Sequence, residues 1–279
     1  MKDRVLSGVT LVAFFMAIVV FNRSFPLALN IAIAFISALA VFEVIKALGL
    51  SDRWYITVPS MTAAVLVQFC EFQQANIFIY SAFTACIFCA LLRHHREITF
   101  KEMAVVYSMV VLIPLALQTI VLVRTLSDQH GMFYALVCVF SAWIPDAGAF
   151  FAGKLFGKHK LCPEISPKKT VEGAIGGLLG GVIGMTVFKL VADSMAHTLT
   201  VYPPIEMAAG PQISWGAVFA LGIIGSTISQ IGDLSFSVIK REFGVKDYGN
   251  LLPGHGGILD RFDSVTFVAP FVWLALQLL

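Results

Sequence analysis

This sequence is poor in charge. Only 13% of its 279 residues are Asp, Glu, Lys or Arg, about half the share of a soluble domain. Mean hydropathy is +0.85. An ordinary soluble domain is excluded on that ground. So is a disordered chain, which stays unfolded because it is too polar to bury a core. Cysteine is sparse as well: Cys70, Cys86, Cys89, Cys138 and Cys162 follow no metal-ligand or disulfide spacing, which argues against a zinc module or a disulfide scaffold. Four of the five fall in apolar runs, where a thiol packs as a small hydrophobe. Soluble domains, linkers, low-complexity tracts and internal repeats are all missing. What remains is a chain that is 58% hydrophobic, the composition of a multi-spanning helical membrane protein.

Nine apolar segments are expected as spans: 5–21, 27–46, 56–71, 75–92, 103–124, 131–152, 171–192, 213–239 and 260–279. A hydrocarbon core of about 30 Å needs roughly 20 helical residues, so the third segment is the weakest. The first follows Lys2 and Arg4 like a signal peptide, but Phe21-Asn22-Arg23 offers no small-residue cleavage site. It reads as a retained span. With nine spans, 16 of the 19 basic residues fall on one side and only Arg23, Arg124 and Lys189 on the other. The positive-inside rule then places the N-terminus in the cytoplasm and the C-terminus outside. The expected architecture is all-α, with a polar cavity facing the cytoplasm in a cell membrane. Residues 1–130 form a transmembrane scaffold of about five helices and 131–279 a catalytic region of about four.

Carboxylates inside apolar segments are costly and mark function. Glu43 lies three residues before Lys46 and reads as a local helix pair near the membrane surface. Asp146 follows Pro145 and precedes Ala147-Gly148-Ala149, a helix break of the kind tolerated beside a polar cavity. Asp233 sits seven residues before Lys240, about 10 Å below the helix end, with no basic neighbour one turn away. Asp260 opens the last segment within Asp260-Arg261-Phe262-Asp263.

Glycines recur at a spacing of four in two rows, Gly173/Gly177/Gly181 and Gly176/Gly180/Gly184. That pattern is a close helix-packing face, not a nucleotide loop. Gly148 to Leu155 nearly matches a phosphate loop, but Leu155 stands where a hydroxyl must hold Mg²⁺ and no strand precedes it. Five lysines (Lys154, Lys158, Lys160, Lys168 and Lys169) crowd the next loop. They read either as a topogenic cluster attracting anionic headgroups or as a polyphosphate site. Ser166-Pro167-Lys168-Lys169-Thr170 before a helix start favours the second, because hydroxyls, ammonium groups and open backbone N–H groups converge there.

Residues 237–263 carry the densest pattern: Ser237, Lys240, Arg241, Lys246, Asp247, Gly249, Pro253, His255, Gly256, Gly257, Asp260, Arg261 and Asp263. A basic helix end, a Gly/Pro-rich turn and acids at a re-entering helix suit metal-assisted phosphoryl or nucleotidyl transfer to a lipid. This stretch resembles the signature of the phosphatidate cytidylyltransferases, and Asp146, Gly153, Gly157, Ser166 to Thr170 and Glu172-Gly173 extend the likeness upstream. It covers 131–279 strongly.

The resemblance implies the reaction of CTP with phosphatidate to give CDP-diacylglycerol and pyrophosphate, in a polytopic homodimer of the inner membrane. It implies Mg²⁺ on Asp233 and Asp260, with a second cation left open. The expected catalytic residues are Asp233, Asp260, Lys240, Arg241, His255 and Arg261. Substrate contacts are expected from Asp146, Ser166, Lys168, Lys169, Thr170, Glu172, Ser237, Lys246, Asp247, Gly256, Gly257 and Asp263. No nucleic acid is expected as a partner. A CTP-dependent polyprenol kinase or a synthase acting on ether-linked lipids would share the basic loop and the acids. A transporter would need repeated broken helices in two halves, and no repeat is found.

Overall fold

A computed structural model describes residues 13, 14, 17, 18, 21, 22, 24–70, 72–127, 130–199, 213–251 and 256–278. The expected first span lies largely outside them, as do His255 and residues 200–212. Among the described residues the order is α1 (Ala28–Ala47), α2 (Trp54–Leu66) continuing into a 3-10 turn (Val67–Phe69), α3 (Gln73–Arg93), α4 (Phe100–Arg124), α5 (Gly131–Phe156), β1 (Lys160–Cys162), β2 (Ser166–Thr170), α6 (Val171–Leu199), α7 (Trp215–Glu242) and α8 (Leu259–Gln277). Six of these helices, α1 and α3 to α7, are long and apolar enough to cross a membrane. The helix with its 3-10 turn, Trp54–Phe69, is shorter, as its apolar segment foretold.

The all-α expectation needs one amendment. The lysine-rich segment is not a plain loop: α5 runs on to Phe156 and the rest folds back as an antiparallel hairpin, Lys160 opposite Thr170 and Cys162 opposite Ser166. Pro167 sits in the second strand, where only an edge strand can lose an N–H.

The chain forms two compact units, each built from two separate stretches of sequence. One comprises Met1–Val121 with Lys240–Phe262, the other Leu122–Ile239 with Asp263–Leu279. In the first unit, Val41, Ile45, Ile56, Phe83, Ile87, Val106 and Val110 pack together as a core. The short α2 ends inside this unit, and carboxamides take up the backbone carbonyls there. Asn30 Nδ2 donates to the Gln68 carbonyl at 2.8 Å, and Gln118 Nε2 donates to the Val67 and Cys70 carbonyls, each at 2.7 Å. A buried helix end is stable only with such partners.

In the second unit both glycine rows pack within the chain. Gly176, Gly180 and Gly184 face α5: a Cβ on Gly176 would overlap the Ala152 side chain, and one on Gly180 would lie 3.1 Å from Gly148 Cα. Gly177 faces Pro145 and Gln230, and Gly181 faces Ser226 and Gly222 of α7. On α6 the residues Ile175, Leu179, Ile183, Val187 and Leu190 are each more than half exposed. Small residues inward and large apolar residues outward mark a helix packed on one side and bathed in lipid on the other.

Candidate active site

The second unit contains a cavity of about 340 Å³, within the range of small-molecule sites. Each wall has a local reason. Helix α5 runs through Pro145 without the expected break and presents Asp146 on the cavity wall. Its last turn brings Lys154, strand β2 brings Lys168 and Lys169, and α7 brings Gln230 and Asp233. Two serines hold Asp146: Ser229 Oγ donates to Oδ1 at 3.0 Å and Ser264 Oγ to Oδ2 at 2.9 Å. Lys169 Nζ lies 2.6 Å from Asp233 Oδ2, and Ser237 Oγ reaches Asp233 Oδ1 at 3.5 Å. The like charges of Asp146 and Asp233 repel, and Lys169 offsets both. Asp233 therefore has the basic neighbour that its own helix does not supply.

The hairpin is fixed at its base. Thr170 Oγ1 accepts the Gly173 N–H at 3.1 Å and caps the start of α6. Gly153, Gly157 and Gly173 crowd that hydroxyl, and no side chain fits there. Glu172 Oε2 accepts the Lys158 and His159 N–H groups at 3.1 and 3.2 Å, and Oε1 lies 2.6 Å from His159 Nδ1. Among the described residues, Ser166, Glu172 and Ser237 do not line the cavity. Glu172 instead ties the hairpin back to α6.

The first unit holds the other part of the signature. Asp260 Oδ1 accepts Lys240 Nζ at 2.8 Å, and Oδ2 accepts the Tyr248 and Gly257 N–H groups, each at 2.9 Å. Lys240 is buried and lies over the Tyr248 ring at 5.4 Å. Gly256 has φ +85°, and a Cβ there would sit 2.9 Å from Asp260 Oδ2, so this glycine is needed both for conformation and for room. Arg241 donates to the Val245 carbonyl at 3.2 Å. Lys246 and Asp247 are exposed in the turn, and Arg261 lies in the first turn of α8. Asp263 is buried in the second unit, its Oδ1 accepting the Ser264 N–H at 2.7 Å.

Sequence reasoning passed over Ser229, Gln230 and Ser264. Their signal was a polar residue within an apolar helix, the same signal that singled out Asp146. It also misassigned Glu43. The carboxylate is buried and accepts the Ile258 and Leu259 N–H groups at 2.9 and 2.8 Å. Open N–H groups at a helix start bind a carboxylate more strongly than a solvated lysine does.

Fold and site together define a polytopic helical membrane protein that sets carboxylates and lysines around one cavity, an arrangement for handling polyanions. The profile of the cytidylyltransferase family matches residues 2–279. A phosphatidate cytidylyltransferase of Bacillus subtilis is 32% identical over 289 aligned positions, covering 100% of this chain and 98% of that protein. Phosphatidate cytidylyltransferases of Staphylococcus saprophyticus and Staphylococcus aureus are each 41% identical over 144 residues, 52% of this chain and 49% of theirs. The chain belongs to the cytidylyltransferase family.

Proposed function

We propose that this chain is a phosphatidate cytidylyltransferase, converting CTP and phosphatidate to CDP-diacylglycerol and pyrophosphate. The observation that carries the reading is the cavity. Lys154, Lys168 and Lys169 face Asp146 and Asp233 in a chain that aligns end to end with a protein of that name. The phosphatidate phosphate is already an anion and attacks the α-phosphorus of CTP. A P–O bond forms to the lipid phosphate as the bond between the α-phosphorus and its bridging oxygen breaks, and pyrophosphate carries away the electron pair. No covalent enzyme intermediate and no general base are required. The protein's task is to bring two polyanions together and hold the charge that gathers on the leaving group. Lys168 and Lys169 bind substrate phosphates, and His255 serves phosphate binding.

The donor set suits Mg²⁺. Among the described residues there is no group of three or more His, Cys, Asp or Glu that could form a closed cage, while Mg²⁺ prefers one or two carboxylates completed by substrate phosphates and water. Asp233 and Asp260 are the residues proposed to hold it, and when bound it would neutralise triphosphate charge. Asp233 offers a carboxylate at the cavity wall. Among the described residues Asp260 is held by one lysine and two N–H groups, fewer than the lone pairs of a carboxylate.

Nine spans, a cytoplasmic N-terminus, a cytoplasm-facing cavity, a home in the cell membrane and a homodimer complete the proposal. The 16 to 3 division of basic residues supports the orientation. The glycine face packs within the chain, so any dimer must use another surface. The test is pyrophosphate release by purified protein in detergent micelles. It is expected only when CTP, phosphatidate and Mg²⁺ are all present. Release that ignores phosphatidate would sink the reading.

A further inference from the structure

We propose that Glu43 is a positioning residue for the C-terminal signature, acting through the backbone that presents Asp260 and Arg261. The proposal rests on the cytidylyltransferase reading for its effect on turnover, but not for the anchoring itself.

Glu43 belongs to α1, far from the signature in sequence, yet both lie in the same compact unit. It is 5% exposed, and an ion buried that deeply is tolerated only when its oxygens are satisfied. Its two oxygens do different work. Oε1 accepts the Ile258 N–H at 2.9 Å and Oε2 the Leu259 N–H at 2.8 Å. The preceding N–H, that of Gly257, goes to Asp260 Oδ2 at 2.9 Å. Three consecutive N–H groups at the start of α8 are thus shared between two carboxylates, one from α1 and one from the signature itself. These are the groups a helix leaves open at its N-terminus.

The glycines confirm how closely the parts fit. Gly249 and Gly257 need no left-handed φ, so conformation alone does not demand glycine there. Space does: a Cβ on either would overlap the Glu43 carboxylate. The signature's glycines therefore make room for an acid as well as for any ligand. Asp260 then takes Lys240 on Oδ1 and the Tyr248 N–H on Oδ2, so a shift of the segment 257–259 moves Asp260 relative to Lys240. A mislaid catalytic group of about 1 Å is enough to lower turnover about a hundredfold.

The test uses the purified full-length protein in micelles, comparing wild type with E43Q, E43D and G249A. Hydrogen–deuterium exchange in peptides covering 256–262 is the readout of anchoring, with 100–124 as an internal reference. E43Q replaces one accepting oxygen with an amide that opposes an N–H, so exchange at 256–262 should rise while 100–124 stays unchanged. Per folded molecule, kcat should fall between about tenfold and a hundredfold, with KM for phosphatidate moving much less. G249A should behave similarly. In the E43D background the G249A defect should shrink, because the shorter acid withdraws from the added methyl and the two sites couple. A merely structural role would lower the melting temperature and leave kcat per folded molecule intact.

Unchanged exchange at 256–262 in E43Q overturns the proposal, and so does a kcat within about twofold of wild type. If E43Q cannot be recovered folded, E43D and G249A carry the same two readouts. If wild type itself does not turn over CTP and phosphatidate, the functional reading falls, while the exchange result still decides whether Glu43 anchors the segment.

Discussion

Replacing Lys169 by Gln perturbs the cavity at its most informative point. Lys169 Nζ lies 2.6 Å from Asp233 Oδ2, and the two side chains are 26% and 29% exposed. The pair is therefore neither a surface bridge, worth about 0–1 kcal/mol, nor a fully buried one, whose breaking costs about 3–5 kcal/mol. Removing the ammonium should destabilise the protein by about 1–3 kcal/mol, between those limits. Asp233 would then face Asp146 with its like charge uncompensated. Catalysis should suffer more than stability, because Lys169 also lines the cavity proposed to take the substrate phosphates. Losing one strong electrostatic contact in a transition state lowers kcat about 10²–10³-fold. K169Q should lower kcat/KM for CTP by about 10²-fold, and K169R should recover most of the loss, since the charge remains though its geometry changes. The assay is incorporation of labelled cytidylate into extractable lipid at fixed phosphatidate content in the micelle, beside thermal unfolding of the same samples. Normal kcat/KM in K169Q, with the protein folded, would refute the placement of substrate phosphates beside β2. The lysines would then revert to a topogenic cluster.

D233N should lower kcat by at least about 10²-fold and, like K169Q, cost about 1–3 kcal/mol of stability, because it breaks the same half-buried pair. D260N should lower kcat as much but destabilise more, by about 3–5 kcal/mol, since it breaks the more deeply buried Lys240–Asp260 pair; equal melting temperatures for the two variants would contradict that distinction. Chelating divalent cations should abolish turnover, and Mg²⁺ should restore it, whereas full activity in excess chelator would exclude the metal assignment. G176V should destabilise the α5–α6 contact by about 1–3 kcal/mol through overpacking, measured as a lowered melting temperature, while a change at an outward-facing position such as Leu179→Val should alter it little. In intact cells, cysteines at Lys158→Cys and Lys246→Cys should resist an impermeant thiol reagent and Glu206→Cys should react; labelling of Lys158→Cys would reverse the topology.

Hydropathy made the helices legible. From 27–46 onward each expected apolar segment corresponds to a described helix, displaced by a few residues at its ends. Glycine spacing gave the correct faces of α6, since a period of four marks one side of a helix whatever its partner. The hairpin at 160–170 was not legible. Its strands are short, lysine-rich and interrupted by Pro167, so they carry no alternating pattern. Asp146 and Asp233 could be named from the penalty of a carboxylate in a span, but their partners could not. Lys169 meets Asp233 and Ser264 meets Asp146 across separate elements, and no local spacing encodes such pairs. Glu43 was obscured by a plausible neighbour: Lys46 stood at helix spacing, and the N–H groups that actually hold the acid lie more than two hundred residues along the chain.

The central claim is transfer of a cytidylyl group, and the position of a label decides it. Purified protein is given phosphatidate, Mg²⁺ and CTP labelled either at the α-phosphorus or at the γ-phosphorus, and the lipid fraction is extracted. The account predicts label in lipid from α-labelled CTP only, in a product with the mass of CDP-diacylglycerol, with pyrophosphate formed in equal amount. Label in lipid from γ-labelled CTP would make the protein a lipid kinase and contradict the account.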